Sequence, residues 1–453
     1  MGLLIALLLS MQQKNKMAET VFYLIFSINT ILVLKYFLYS PGSLIRPSVI
    51  FFISHFLQLQ VGLVFSPAKL TSLEIKIETV TLVLLFGPLL IVTISNLIFD
   101  RSYYYHKKRI LFVRHFRSTN LDRGKHLTLD QFWYFFLSIY MIFCVLYLIT
   151  VGWQNTGLYG LISMSADAGF MREAGMKSMS NPIISYGFTI SIKFLAPALV
   201  IILVLKSCYG ALTTSKLVIL MLAIALPASI FGSRGASAMI ILTGVYLFIY
   251  FLGFKGRLRF MPVVLVLVLS LPLILMFLKM QATSGQAEAL PIVFLNLFDR
   301  IVYRSLTAEL WQLSYVGDFG FFGISGIPKI ATIFGIAPID IFNTVGVYFR
   351  PSSPEISATT SFLTANYALF GVIGILVSLF QLLFLDFLSA LTFKLKPVYA
   401  ILLSGMLILP SFSLAFSAFE TLFISRGVLI VMLLYIIIIL LQTGRYGFDE
   451  ERK

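Results

Sequence analysis

Charged residues are scarce in this chain, and their scarcity excludes the ordinary soluble folds. They make up 12% of the 453 residues, whereas a soluble domain carries about 25%. The two cysteines, Cys144 and Cys208, fall in or beside apolar runs and indicate no disulfide framework, zinc site or thiol chemistry. The sequence also lacks a P-loop, a His-Glu-x-x-His motif, a metal-spaced carboxylate cluster and a nucleophile elbow. It therefore predicts no metal and no cofactor.

Long apolar runs dominate instead. Hydrophobic residues make up 59% of the chain, and their runs approach the ~20 residues that cross a ~30 Å hydrocarbon core as a helix. A β-barrel would need short segments of alternating polarity. The sequence therefore predicts an all-α polytopic membrane protein. Its transmembrane helices, about 11 in number, are expected at 20–39, 47–66, 78–99, 131–151, 184–205, 216–232, 236–253, 260–279, 361–388, 398–416 and 426–442.

The N-terminus does not resemble a secretion signal. Residues 1–10 are apolar but too short to span, and Lys14 and Lys16 follow the apolar stretch instead of preceding it. Met17 is an alternative natural start, which would make the residues before it an extension. We divide the chain into an N-terminal extension (1–19), a first transmembrane bundle (20–279), a large outward-facing loop containing helices (280–360), C-terminal transmembrane helices (361–443) and a cytoplasmic tail (444–453).

Lys and Arg residues predict the orientation. The loop 100–130 holds eight of them and is therefore expected in the cytoplasm. Its charges could bind nucleic acid or a partner, but retention and attraction to anionic lipid explain them more simply, so we expect no nucleic acid. Alternation then places 152–183, a turn at 233–236 and 280–360 outside. Most spans carry no charge, with Lys193 the main exception, and His55 is expected to be a packed histidine and not a proton relay.

Arginines on the predicted outer side are the anomaly that remains. Arg234 lies in a short Gly232-Ser233-Arg234-Gly235 turn, where a guanidinium is costly unless it meets an anion. The glycines permit close backbone approach, and the N–H groups of the following helix would add donors. The alternative is an interfacial arginine paired with lipid headgroups or with a loop carboxylate.

A second cationic pair lies on the predicted loop helix. Arg300 and Arg304 are four residues apart and share one face, which Trp311 continues. Two guanidiniums suit a phosphate or pyrophosphate, and Trp311 could stack on a sugar or lie at the membrane interface. Asp299 could instead pair with these arginines. Glu309 falls on roughly the opposite face from Arg300, which weakens it as a member of the same site.

Further candidates are spread over the predicted outer side. Arg172, Lys279, Arg350 and Arg426 are candidate substrate-binding cations, because positive charge is disfavoured there without a function. Each carboxylate is a weak candidate for a general base, and a solvated loop carboxylate or an arginine partner is the simpler explanation. The carboxylates considered are Asp167, Glu173, Glu288, Asp299, Glu309, Glu355 and Glu420.

The order of these segments resembles the Wzy-type polysaccharide polymerases, which are integral-membrane, GT-C-like glycosyltransferases of the O-antigen and enterobacterial common antigen type. The resemblance covers roughly 20–443. It is carried by the turn 230–236, Leu278-Lys279 at a span exit, the loop helix with Ala308-Glu309-Leu310, the stretch 356–363, and the stretch 423–427 that opens the last span.

The resemblance implies a reaction at the outer face of a bacterial cytoplasmic membrane. A growing glycan would pass from one undecaprenyl-pyrophosphate carrier to the terminal sugar of a new lipid-linked repeat unit, without a metal or a nucleotide sugar. Arg172, Arg234, Arg300, Arg304 and Arg426 would stabilise the carrier or the leaving pyrophosphate, and Glu309, Glu355 or Glu420 would serve as the base. The expected partners are the lipid-linked glycan, membrane lipid and a chain-length regulator.

Three other functions fit parts of the pattern. A flippase or transporter of lipid-linked sugars would also need outer arginines, but it predicts charges buried within many spans. An O-antigen-ligase-like transferase would be expected to use an outer histidine, whereas every histidine here precedes position 130. A structural subunit of an export machine would pair its arginines internally.

Overall fold

The computed structural model is helical throughout the part of the chain that it describes, and no strand occurs there. The described residues are 16–38, 41–65, 73, 75–99, 123–156, 159, 181–208, 211–229, 234–251, 304–352, 357–419, 422–423 and 427–450. The helices are α1 Lys16–Leu38, α2 Pro47–Val64, α3 Ile77–Ile98, α4 Arg123–Val151, α5 Pro182–Cys208, α6 Thr214–Ser229, α7 Arg234–Phe251, α8 Arg304–Phe319, α9 Pro328–Ile333, α10 Ile341–Phe349, α11 Phe362–Phe370, α12 Val372–Thr392, α13 Pro397–Met406, α14 Ile408–Ser413 and α15 Val428–Glu450.

Six of the described helices, α1 to α5 and α12, are long and apolar enough to cross a membrane. Four shorter apolar segments lie at 215–228, 237–251, 398–413 and 428–440, where the sequence predicts further spans. The predicted span 260–279 lies outside the described residues. The all-α membrane fold is therefore confirmed, while the count of 11 spans and the GT-C-like arrangement stay predictions.

The predicted single span 361–388 is wrong as drawn, because the helix breaks at Gly371. Gly371 has a φ of +63°, a conformation that residues with a Cβ rarely adopt. The chain turns there, and α11 folds back along α12. The Asn366 amide on α11 donates to Ser378 Oγ and to Gln381 Oε1 on α12, both at 2.8 Å. Only α12 remains as a span, and it continues to Thr392.

The two predicted ends also shift. Helix α1 begins at Lys16, so part of the predicted extension 1–19 is helical. Helix α15 continues to Glu450, well into the predicted tail 444–453. Apolar periodicity places the buried part of a helix but does not detect where polar turns extend it past the hydrocarbon.

Helix α11 begins inside the bundle. Phe362 is fully buried and packs edge-to-face on Phe51 of α2, with ring centroids 4.9 Å apart. The Phe362 N–H donates to the Leu414 carbonyl at 3.0 Å. Helices α11 and α12 therefore form a re-entrant hairpin. The backbone at the start of α11 is enclosed by protein, as non-helical backbone inside a membrane requires.

Helix α8 packs where α2 ends and α3 begins. Ser314 Oγ donates to the carbonyl of Leu73, in the connection between these two spans, at 3.3 Å. Arg46, which directly precedes α2, lies about 27 Å along the helix axis from the end of α2 that contacts α8, at 1.5 Å per residue. This packing holds one face of α8 against the start of α11, and the buried polar side chains of α8 lie there.

Candidate functional site

The buried face of α8 carries two polar side chains among its leucines. Leu306, Leu310 and Leu313 are each at most 2% exposed, as the spacing of an amphipathic helix predicts. Glu309 is 1% exposed and Gln312 fully buried on the same side of the helix. A charged residue is almost never fully buried without partners, so the environment of Glu309 is the feature to explain.

Glu309 accepts hydrogen bonds at the first residues of the re-entrant helix α11. The Ser361 backbone N–H donates to Glu309 Oε1 at 2.5 Å, and Ser361 Oγ donates to Oε2 at 3.1 Å. Thr364 gives a further side-chain hydrogen bond to this carboxyl group. The carboxylate therefore lies at the N-terminal end of α11, where the helix dipole favours negative charge.

Burial outweighs these hydrogen bonds in setting the proton affinity of Glu309. Removal from water raises the pKa of its carboxyl group, and the bonds from Thr364 and Ser361 lower it only in part, so the pKa is about 7. A carboxyl group with a pKa near 7 populates both its protonated and its ionised form at neutral pH, which is a property that a general acid or base requires.

Gln312 lies one turn beyond Glu309, and its amide is only half satisfied. Its Oε1 accepts from Thr360 Oγ1, whereas Nε2 has no hydrogen-bond partner among the described residues. A buried donor without a partner costs about 1–3 kcal/mol. A hydroxyl or phosphate oxygen placed beside it would satisfy this donor.

Trp311 and Arg350, both predicted to bind substrate, are brought together on the opposite side of α8. The Arg350 guanidinium carbon lies 5.7 Å from the centre of the indole ring. Phe349 stacks on Trp311 with ring centroids 5.4 Å apart and planes 7° apart, so one face of the indole is already covered. The predicted residues of α8 thus belong to two surfaces, with Glu309 on one and the Trp311–Arg350 pair on the other.

The remaining predicted site residues cannot be placed by their side chains. Arg234 and Arg304 are the first residues of α7 and α8, and their side chains lie outside the described residues. The other predicted residues lie wholly outside the described part of the chain, namely Arg172, Lys279, Arg300 and Arg426, with the alternative bases Asp167, Glu173, Glu288, Asp299, Glu355 and Glu420.

A second polar cluster joins α2, α3 and α12 and was missed from the sequence. Arg46 and Asp386 are both fully buried, with Arg46 Nε 4.0 Å from Asp386 Oδ2. Asp386 also accepts from the Ser48 N–H at 2.9 Å and from Ser95 Oγ, and Arg46 Nη2 donates to Asn96 Oδ1 at 2.5 Å. The expectation that Lys193 is the main charge within a span is therefore wrong. A carboxylate within the apolar run of α12 was the available signal.

A third buried network surrounds His55. His55 is fully buried beside Phe51, and its Nδ1 lies 3.5 Å from the Gln60 amide nitrogen. Gln60 donates to the Leu84 carbonyl at 2.9 Å and accepts from the Asn29 amide at 2.9 Å. Gln60 is the last residue of a stretch of π-helix, 56–60, in which backbone hydrogen bonds join residues five apart instead of four. His55 is thus packed within the bundle, as the sequence predicts, with Nδ1 near the Gln60 amide and Nε2 without a partner among the described residues.

Comparison with known proteins adds no assignment, because no protein-family model, curated protein or solved structure matches this chain.

Proposed function

We propose that this protein is a membrane-embedded glycosyltransferase that extends a lipid-pyrophosphate-linked oligosaccharide, with Glu309 as its general base. The observation that carries the proposal is the buried carboxyl group of Glu309, which accepts hydrogen bonds from Ser361 at the N-terminal end of a re-entrant helix. Both segments that form this contact, 308–310 and 356–363, are among those whose order resembles the Wzy-type polymerases. The bacterial cytoplasmic membrane and an undecaprenyl carrier are part of this proposal.

The proposed reaction needs a general base whose pKa is close to neutral pH. A sugar hydroxyl of the acceptor attacks the anomeric carbon of the donor, the bond to the pyrophosphate oxygen breaks, and the hydroxyl proton passes to Glu309. The leaving pyrophosphate carries the displaced electron pair, and cationic side chains stabilise its charge. Arg234, Arg300 and Arg304 are proposed for that role, with Arg172, Lys279, Arg350 and Arg426 binding the remaining carrier phosphates or sugars.

Gln312 is proposed to position the acceptor. Its Nε2–H group, which has no partner among the described residues, lies on the same side of α8 as Glu309, so it can donate to the acceptor sugar while Glu309 takes the proton. Ser361 donates to both oxygens of the carboxylate, so binding of the acceptor is proposed to displace Ser361. Trp311, on which Phe349 stacks, is proposed to contact sugar together with the neighbouring Arg350.

The test is glycan extension in proteoliposomes supplied with lipid-linked repeat units. We expect the wild-type protein to produce a ladder of lengths and Glu309→Gln to leave single repeats, at equal abundance in the membrane. Glu78→Gln is the matched control, because Glu78 is an exposed carboxylate at the start of α3, near the same end of the bundle as α8. It should retain the ladder.

Two outcomes would contradict the proposal. A ladder from well-folded Glu309→Gln would remove Glu309 from the reaction and leave it as a cap for α11. A wild-type protein that makes no longer glycan with any lipid-linked repeat unit, yet moves such lipids across the vesicle membrane, would establish a transporter instead.

Transport is the second candidate function, and one observation favours it. The buried Arg46–Asp386 pair and the Asn29–Gln60–His55 network place polar groups within the spans, which a translocation path needs and surface chemistry does not. Both networks are satisfied mainly by protein groups, so packing explains them equally well. The flipping arm of the same proteoliposome assay separates the two functions.

A further inference from the structure

The segment 319–339 has the composition of a span but does not span. Between Asp318 and Asp340 the sequence holds one charged residue, Lys329, yet it also contains four glycines and two prolines. The backbone bends at Gly320, Gly323 and Gly335, each with positive φ. These bends leave only a short 3-10 turn at Gly323–Gly326 and the short helix α9.

The apolar side chains of this segment are exposed. Ile333 is 80% exposed, the highest value for a large hydrophobic residue in the described chain, and Phe334 beside it is 67% exposed. Phe319 and Phe321 are also more than half exposed. An apolar surface this continuous is not stable against water and marks an interaction surface.

The exposed surface is continuous with the lipid-facing start of α12. Phe321 packs edge-to-face on Tyr367 with ring centroids 5.7 Å apart, and the Phe322 N–H donates to the Ala368 carbonyl at 3.0 Å. The first residues after the Gly371 turn, Val372 and Ile373, are 60% and 66% exposed and belong to a membrane span. The exposed apolar residues of 319–336 are therefore neighbours of residues that belong to a membrane span.

We infer that the segment 319–336 inserts into the membrane leaflet beside the start of α12, with Ile333 and Phe334 at its tip among phospholipid acyl chains. Lipid is the occupant because this surface continues that of a span and carries a single charged residue. A surface that binds a protein partner would instead be expected to have a polar rim around its apolar centre. Interfacial segments usually bury their apolar side about 5–10 Å into the boundary between headgroups and acyl chains.

The inserted segment is tied to the candidate site. Tyr315 of α8 stacks on Phe322 with ring centroids 5.3 Å apart and planes 4° apart, and it also contacts Phe319 at 4.6 Å. The membrane anchor therefore holds α8, and with it Glu309, at a constant depth relative to the lipid. The inference does not depend on which reaction α8 serves.

The test uses a fluorophore at the tip. In a Cys144→Ala, Cys208→Ala background, Ile333→Cys is labelled with an NBD group and the protein is reconstituted in phosphatidylcholine vesicles. We expect lipids that carry a doxyl group near the headgroup to quench the emission, and aqueous iodide to leave it unchanged. Asn343→Cys, an exposed polar position on α10, is the matched control and should show the reverse; Ile373→Cys on α12 is the lipid-facing reference.

Iodide quenching at position 333 without doxyl quenching would place the tip in water and overturn the inference. Protection from both quenchers would also overturn it, because the tip would then be covered by protein, either a second copy or a partner. Repeating the measurement with purified protein at a high lipid-to-protein ratio tests for a second copy. Dilution in the membrane would separate two copies and restore quenching of the label at position 333.

Discussion

At the scale of the residue, Glu309 is governed by two opposing effects. Three hydrogen bonds and the dipole of α11 favour the carboxylate, while complete burial favours the carboxylic acid. Burial wins, because the raised pKa of about 7 is well above the usual 4.5. Its effects on rate and on stability differ in sign, so they can be tested separately.

The rate should rise with pH if Glu309 is the base. Its proton-free form is the reactive one, so glycan extension should increase about tenfold per pH unit below pH 7 and level off above it. The measurement is the initial rate of extension in proteoliposomes from pH 5 to pH 9. A rate independent of pH across this range would show that proton transfer to Glu309 does not limit the reaction.

Stability should fall as pH rises. Burial raises the pKa of Glu309 in the folded protein above its unfolded-chain value of 4.5. The stability that this shift contributes is therefore fully present below pH 4.5 and is lost as the pH rises through about 7. The shift corresponds to about 3 kcal/mol at pH 8, since each pKa unit is worth about 1.4 kcal/mol. Glu309→Gln should lose this dependence. Thermal unfolding in detergent at pH 5 and pH 8, compared between the two proteins, would reveal it.

Gln312 should matter more for turnover than for stability. Gln312→Met removes an unsatisfied buried amide nitrogen but leaves the Thr360 hydroxyl without its acceptor, so the two effects offset to within about 1 kcal/mol. Loss of a hydrogen bond to the acceptor should lower the extension rate about 10- to 100-fold. Thr360→Val is the control for the second effect. An unchanged rate for Gln312→Met would show that the amide does not touch substrate.

At the scale of the element, the re-entrant hairpin depends on glycine at the α11–α12 contact. A Cβ at Gly374 would lie 1.9 Å from the Asn366 carbonyl oxygen, which is backbone and cannot move aside. Without this close approach, the Asn366 side chain cannot reach both Ser378 and Gln381. The hairpin in turn carries the N-terminal end of α11 to Glu309.

Alanine at Gly374 should therefore separate the hairpin. We expect Gly374→Ala to destabilise the protein by several kcal/mol, as overpacking against backbone does, and to abolish extension. Gly317→Ala on α8 is the matched control, because nothing lies within 4 Å of its added Cβ, and it should be neutral or stabilise by up to ~1 kcal/mol. Abundance and unfolding temperature check both. Equal behaviour of the two variants would disprove the hairpin packing.

At the scale of the whole molecule, the Arg46–Asp386 pair connects helices that are distant in the chain. It joins the start of α2 to α12, with Ser95 and Asn96 of α3 completing the network. Desolvating both charges is costly, and the pair repays this only through its added hydrogen bonds. The network therefore specifies which helices meet more than it adds stability.

Removing one charge should cost far more than removing both. Asp386→Asn leaves Arg46 buried without a carboxylate, and we expect a loss of about 3–5 kcal/mol, whereas Arg46→Met with Asp386→Leu should be close to neutral. Unfolding temperatures in detergent complete this double-mutant cycle. If the single and double variants are equally unstable, the cluster is held by packing and not by charge.

How much the sequence determined differs between levels. The apolar runs by themselves placed the apolar parts of α1 to α5 to within a few residues, because hydrocarbon tolerates only long apolar helices with internally satisfied backbone. They did not predict the polar start of α4, which begins at Arg123. The sequence also singled out Glu309, Trp311 and Arg350 as candidate site residues, and helical spacing placed Glu309 on a different face of the loop helix from Trp311. The pairing of Trp311 with Arg350 across 39 positions, and the contact of Glu309 with Ser361 at the start of α11, came only from the tertiary structure.

The break at Gly371 shows why. Read along the chain, 361–388 is one continuous apolar segment, since hydropathy reports composition and not direction. Whether a glycine within it bends the chain depends on a neighbour that can accept the returning helix, and that neighbour is the Ser378–Gln381 face of α12 itself. The same reasoning applies to Arg46 and Asp386, whose contact joins positions 340 residues apart. Local physics decided which segments enter the membrane, and packing alone decided which polar groups meet there.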